Sequence, residues 1–453
     1  MKNIAALFLF AAACGPGLVA NPTVVPVSQT PGGGGTTTGP DCSAPAGSVL
    51  CGGQCLPLGP LSCGSGDGTC SDCTASSDPG SSCSGGVCVG GKTCAPGIVI
   101  CASGCCASTQ VAAGGNSSCA IVGQGGSTSV YCWGANDTAQ LGPAAAGRAS
   151  LDRAVENAAL RGASDIALGV GHGCAIVGGA VLCWGANGAG QLGVASPPQS
   201  LNPIVVPGIG GATAIAAGDK HTCAITSGGV VCWGANDLGQ LGPVPGSPVP
   251  GTQGATQVVA GLDHTCALVS STILCWGANQ YGQLGNQTST TSPNPDPVTA
   301  FNVTTAFDLA AGANHTCAIE QSSKLLKCWG RNDTKQIDGG TELCGAVLCH
   351  ATPTEVNIGG GVDNVVAGRA HTCARVKLGG DVKCWGDNSF GQLGPGASSA
   401  SPTSSPVTLQ PKVAAGGLSA GATHSCVIDV TTGTNQVYCF GHNDQKQLGP
   451  FAQ

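Results

Sequence analysis

Six histidines, His172, His221, His264, His315, His371 and His424, each stand two residues before a cysteine, and six tryptophans, Trp133, Trp184, Trp233, Trp276, Trp329 and Trp385, each follow another cysteine. Imidazoles at a regular spacing suggest a metal or proton-transfer centre, and recurring indoles suggest a stacking platform for sugars or bases. Either chemistry needs several side chains at one point. Here the histidines lie 43 to 56 residues apart, so a repeat hands one to each of its units. The pattern therefore reads as scaffold. Each histidine opens a strand and bonds to a neighbouring backbone group. Each tryptophan points away from the face of its cysteine and wedges against the adjoining unit.

Cysteines supply the other reactive set, 29 in all. Fourteen form seven pairs separated by 9, 11 or 13 residues: Cys119/Cys132, Cys174/Cys183, Cys223/Cys232, Cys266/Cys275, Cys317/Cys328, Cys373/Cys384 and Cys426/Cys439. Separations that change in twos keep both members on one face of a hairpin. With Ser227 and Gly228 as a two-residue turn, Thr226 faces Gly229, and Cys223 and Cys232 become a directly opposed, non-hydrogen-bonded pair. Their α-carbons are then about 4.5 Å apart, within disulfide reach. Cys344 and Cys349 form an isolated pair, twelve cysteines fall between Cys42 and Cys106, and Cys14 is left over. Cys70-Ser-Asp-Cys73 has the spacing of a metal clip, but no second clip of that spacing follows and no histidine precedes His172, so no metal and no cofactor is expected.

The elements that position these residues are short apolar runs of strand length, recurring seven times between Cys119 and Cys439. Units of this size made of strands stack into small sheets, and a closed ring of such sheets protects their faces. An all-β, seven-bladed propeller preceded by a small disulfide-rich domain is expected. The chain stops soon after the seventh copy, which leaves one blade short of its last strand. Pro96-Gly-Ile-Val-Ile100 is the candidate to supply it. In Gly-x-Asn-x-x-Gly-Gln-Leu-Gly, Asn236 and Gly239 are expected to take left-handed turn conformations and Leu241 to anchor the loop.

Ala217-Gly-Asp-Lys-His-Thr-Cys-Ala-Ile and Cys232-Trp-Gly-Ala-Asn-Asp-Leu-Gly-Gln-Leu-Gly242, with six further copies from Ala112 to Gly449, resemble the regulator-of-chromosome-condensation repeat family, whose fold is a seven-bladed propeller. Ser117 replaces the recurring histidine in the first copy, Phe440 the tryptophan in the last, and Gln336-Ile-Asp338 the Gln-Leu-Gly of the fifth. Members of this family include a nuclear exchange factor, enzyme inhibitors and light sensors, so the resemblance implies a binding surface rather than a ligand.

The remaining segments carry the expected address. Met1-Lys-Asn precedes the apolar run Ile4–Ala13 and Cys14, which resembles a bacterial lipoprotein signal with lipidation at Cys14. Residues 1–13 are then the signal peptide and 14–40, rich in Pro, Thr and Gly, a flexible tether. Residues 41–106 form a disulfide module, parts of which resemble the cysteine-rich modules of plant stigma-specific proteins, and 107–453 form the propeller. Heavy cysteine use behind such a signal indicates an oxidising compartment, and the expected location is the bacterial cell envelope, at the outer membrane or cell surface. With 9 % charged residues and a net charge of −7 there is no basic face for nucleic acid.

The expected function is non-enzymatic: a monomeric binding or display module for an unknown protein or glycan, held to the membrane by lipid on Cys14. An inhibitor of a secreted enzyme and a structural envelope protein are the alternatives. Specificity is expected in the segments that differ between copies. Among these, Cys344 to Cys349 would close a covalent loop presenting Val347 and Leu348, flanked by Glu342 and His350.

Overall fold

A computed structural model describes residues 107–449 except 124–127, 398, 410–414 and 431–434, with backbone alone at 415–416 and in short strands between Ser48 and Cys106. Cys14, the expected tether and the side chains of the cysteine-rich module lie outside the described residues. Within that module the strands form small ladders, such as Ser48–Cys51 with Gln54–Pro57 and Ser82–Ser84 with Val87–Val89.

Seven antiparallel sheets make up the rest. The first blade runs Ser108–Ala113, Ser117–Val122, Ser129–Ala135 and Ser150–Glu156, in that order from axis to rim. Its successors begin at Ala163, Ala214, Ala255, Ala306, Val362 and Ala415 and keep the same order. Each second strand, rich in apolar residues, lies between two strands of its own blade and two neighbouring blades. Ser117–Val122 and His424–Asp429 are accordingly buried at every position.

The hairpin register matches the cysteine spacing. Thr226 pairs with Gly229 and Cys223 with Cys232. The other six hairpins place their cysteines opposite one another in the same way, Cys119 with Cys132, Cys174 with Cys183, Cys266 with Cys275, Cys317 with Cys328, Cys373 with Cys384 and Cys426 with Cys439. All seven pairs are disulfides, and their fourteen cysteines are buried. Their Cα–Cα distances of 4.0 to 4.1 Å correct the expected spacing, because the bridge draws the paired strands closer than the ~4.5 Å of an unlinked pair.

In the second blade Gly178 and Gly179 both take left-handed φ, the turn geometry that follows strand twist. After each tryptophan, and after Phe440, comes a glycine with φ between +97° and +120°, at Gly134, Gly185, Gly234, Gly277, Gly330, Gly386 and Gly441. The ladder to the outer strand shifts register there in the first, second, fifth and sixth blades. Only glycine fits this bulge: a Cβ on Gly134 would lie 2.6 Å from the Asn116 carbonyl oxygen.

Outer strands vary most. The fourth blade has only Val298–Thr299 there. The third substitutes an irregular segment whose Val249 N–H donates to Val230 O at 2.8 Å. The described residues of the seventh blade form three strands, ending with Gln436–Gly441. Val437 in that strand is fully buried, as Val130 and Val181 are at the same position of the first and second blades. Val99–Cys101 pairs with Gly104–Cys106. Pairing of 96–98 with the last blade lies outside the described residues. Ring closure itself is direct: Ala113 N–H donates to Ser419 Oγ at 2.8 Å, and Asn435 Nδ2 donates to Ser108 O at 3.2 Å.

Candidate functional site

The recurring histidines are consumed by the joints between blades. Their Nε2 atoms lie 2.7 to 3.0 Å from a hydroxyl of the next blade: His172 to Thr222, His221 to Thr265, His264 to Thr316, His315 to Thr372, His371 to Ser425 and His424 to Ser118. The partner is a side chain across the interface, where the sequence suggested a neighbouring backbone group. Each hydroxyl donates its own proton to the carbonyl of Gln191, Gln240, Gln283, Gln336, Gln392 or Gln447 at 2.7 to 3.2 Å. Imidazole Nε2 must therefore be the donor, leaving the neutral tautomer with a bare Nδ1. Burial enforces that neutrality, pushing these histidines from 6.5 down to about 4 at His172 and His371 and about 3 at His221, His264, His315 and His424.

Tryptophan completes the joint. Trp133, Trp184, Trp233, Trp276 and Trp329 donate Nε1–H to the carbonyl of the matching glutamine, Gln447, Gln140, Gln191, Gln240 or Gln283, at 2.7 to 3.0 Å. Trp184 packs within the apolar core of the first blade. Trp133, Trp184, Trp276, Trp329 and Trp385 are fully buried and Trp233 partly so, which leaves the five buried indoles no open face for stacking. The glutamine is presented by the Gly-x-Asn loop. Asn136, Asn187, Asn236, Asn279, Asn332, Asn388 and Asn443 accept the N–H five residues on at 2.9 to 3.1 Å. Asn236 thus acts through its side chain and keeps an ordinary φ, while Gly239 supplies the left-handed turn at +82° and Leu241 is buried as expected.

One element was not singled out in the sequence. Gly114, Gly169, Gly218, Gly261, Gly312, Gly368 and Gly421 form a ring in which a Cβ on any member would collide with the carbonyl oxygen of the next, the last closing on the first. In six of them that Cβ would also collide with the imidazole three residues on. The recurring Ala-Gly before five of the six histidines, with Leu168-Gly169 before His172, was the available signal. This ring, with the alanines beside it and Leu168, floors a shallow depression on the axis of the propeller. Its rim is made by the next residue of each blade: Gly115, Val170, Asp219, Leu262, Ala313, Arg369 and Ala422.

The expected binding loop lies on the fifth blade. Leu343–Cys344 pairs with the start of Val347–Val356, and Cys344 and Cys349 are bridged with Cα atoms 5.7 Å apart. Val347 and Leu348 are half-buried in this strand, and Leu343, 59 % exposed, is the apolar side chain shown to solvent. His350 is buried. Its Nε2 lies 2.8 Å from Asp338 Oδ1 and its Nδ1 3.1 Å from Glu342 Oε2, so the pair of carboxylates ties the insertion to the loop beneath it.

Models of the regulator of chromosome condensation (RCC1) repeat match residues 178–225 and 271–319 in one version and 212–240, 255–283 and 362–392 in another. The chain is a seven-bladed propeller carrying RCC1 repeats. Over 143 residues it is 29 % identical to the Ultraviolet-B receptor UVR8 of Arabidopsis thaliana, spanning 31 % of this chain and 30 % of that protein. Human WBSCR16 superposes with a TM-score of 0.61 at 18 % identity, covering 71 % of this chain and 91 % of that one. Prp20p of Saccharomyces cerevisiae gives 0.60 at 20 % identity, covering 74 % and 83 %. At these identities the likeness is one of fold.

Proposed function

We propose that the chain is a lipid-anchored binding module of a bacterial cell envelope, which holds a partner protein on the propeller face that bears the axial depression. The observation that carries this reading is where the repeated residues go. The histidines, hydroxyls, glutamines and tryptophans that could have done chemistry are spent joining blade to blade. The non-repeating rim residues Val170, Asp219, Leu262 and Arg369 face the depression instead. Their variety between blades is what selective recognition needs, and a rigid ring orders little on binding. Protein binding fits the relatives: Prp20p is described with binding to Gsp1p and histones, and in complex with Kap60. Buried indoles count against a glycan surface built on them.

Two experiments test the parts separately. Metabolic labelling with radiolabelled palmitate should mark the wild-type chain in a bacterial host and not Cys14→Ser; equal labelling removes the lipid anchor. Affinity capture from envelope and secreted fractions with the purified propeller should recover a protein that the Arg369→Asp variant does not. Recovery unaffected by that variant moves the binding surface off this face.

A further inference from the structure

Resting on that reading, we infer the kind of partner element the depression takes: the tip of a tight turn carrying a small apolar residue between one basic and one acidic side chain. The floor sets the size. Seven glycines, each packed against the carbonyl of the next, with alanine methyl groups beside them, leave an apolar space of about 100 Å³ on the axis, room for a small side chain. Val170, 46 % exposed, and half-buried Leu262 supply apolar wall on two sides.

Charge sets the orientation. Asp219 and Arg369 occupy the same position in the third and sixth blades, so they face each other across the axis, and no other rim position is charged. Asp263, next to Leu262, adds to the acidic side and is close enough to Asp219 for the two carboxylates to repel. The Lys220 ammonium acts on Asp263 in the opposite sense and weakens the negative field without cancelling it. Neither the Arg369 guanidinium nor the Asp219 carboxylate has a side-chain partner among the described residues. A turn with opposite charges on its two shoulders satisfies both at once, whereas two like charges leave one shoulder facing its own sign.

The test uses the full chain and three disulfide-cyclised fluorescent peptides with Lys-Ala-Val-Glu, Lys-Ala-Val-Lys and Glu-Ala-Val-Glu turns. Anisotropy titration should rank the mixed-charge turn tightest, by tenfold or more. Arg369→Asp should transfer the preference to the two-lysine peptide, and Asp219→Arg to the two-glutamate peptide. The double exchange should restore the mixed turn, because the peptide can bind rotated. Three equal affinities, no measurable binding, or a ranking unmoved by the substitutions would each overturn the inference. A partner captured by the propeller through this face but indifferent to these peptides would overturn it while leaving the proposed function standing.

Discussion

Six joints between blades carry a histidine–hydroxyl bond, and the seventh, between the first and second blades, does not. Where six copies have a histidine the first has Ser117. Where six have Thr or Ser the second has Gly173, and where six have alanine beside the ring glycine the second has Leu168. The three changes belong together. A Cβ on Gly173 would lie 2.8 Å from Leu168 Cδ2 and 2.6 Å from Trp184 Cζ2, so the leucine fills the space that a hydroxyl takes elsewhere. The Trp184 bond to Gln140 O survives at 2.7 Å. One site thus closes in two ways, by a buried hydrogen-bond chain or by an apolar plug. A half-change satisfies neither.

The largest effect that separates the two kinds of joint is acid. Each buried imidazole has a folded pKa below its unfolded value of about 6.5, so its stability contribution is intact above that pH and lost as pH falls towards the folded value. One such group costs about 1.4 kcal/mol per pH unit in that window, and six together about 8 kcal/mol. Asp165 and Asp308, raised by burial, run the other way and soften the fall. Thermal denaturation should show Tm dropping steeply between pH 6.5 and 4. A flat profile would mean that the joints open one at a time, or hold charged histidine.

Next in size is the glycine ring. Gly218→Ala forces a methyl into the Gly261 carbonyl and the His221 ring and should cost about 3 kcal/mol or more, seen as loss of folded yield or a large fall in urea midpoint. Exchange of the joint chemistry comes third. Gly173→Thr alone should destabilise by about 1–3 kcal/mol through overpacking. Adding Leu168→Ala and Ser117→His should recover most of it, since the set recreates the other six joints. No recovery would show that the backbone of this joint, and not its side chains, sets it apart. Smallest is the indole bond. Trp276→Phe should cost about 1 kcal/mol by orphaning part of the Gln240 carbonyl, whereas Trp385 Nε1 has no acceptor and Trp385→Phe should be close to neutral. Phe440 already fills that place in the last blade.

Blade number, hairpin register and the seven bridges were legible because each rests on local spacing, and Thr226 opposite Gly229 fixes everything up to the cysteines. The wider loops of Cys119/Cys132 and Cys317/Cys328 keep that pairing because their extra residues come in twos and leave the face unchanged. The burial of five of the six tryptophans followed from their position after a cysteine, and Trp233 is half-buried. The histidine partner was not legible, since His221 and Thr265 lie 44 residues apart and meet only when the ring closes. The glycine ring was hidden for the same reason: Gly218 faces the carbonyl of a glycine one full repeat away. In the insertion, the alternation that turns Leu343 outward and half-buries Val347 depends on pairing with the blade edge, which a six-residue cysteine loop does not announce.

Each described disulfide closes within a single hairpin, at sequence separations of 5 to 13 residues. A cysteine therefore meets its partner almost as soon as both have been synthesised, and correct oxidation needs neither the other blades nor a finished ring. Pairing errors are disfavoured by proximity alone. The covalent and the circular order of the molecule are consequently separate: the bridges hold every blade to itself and hold no blade to the next.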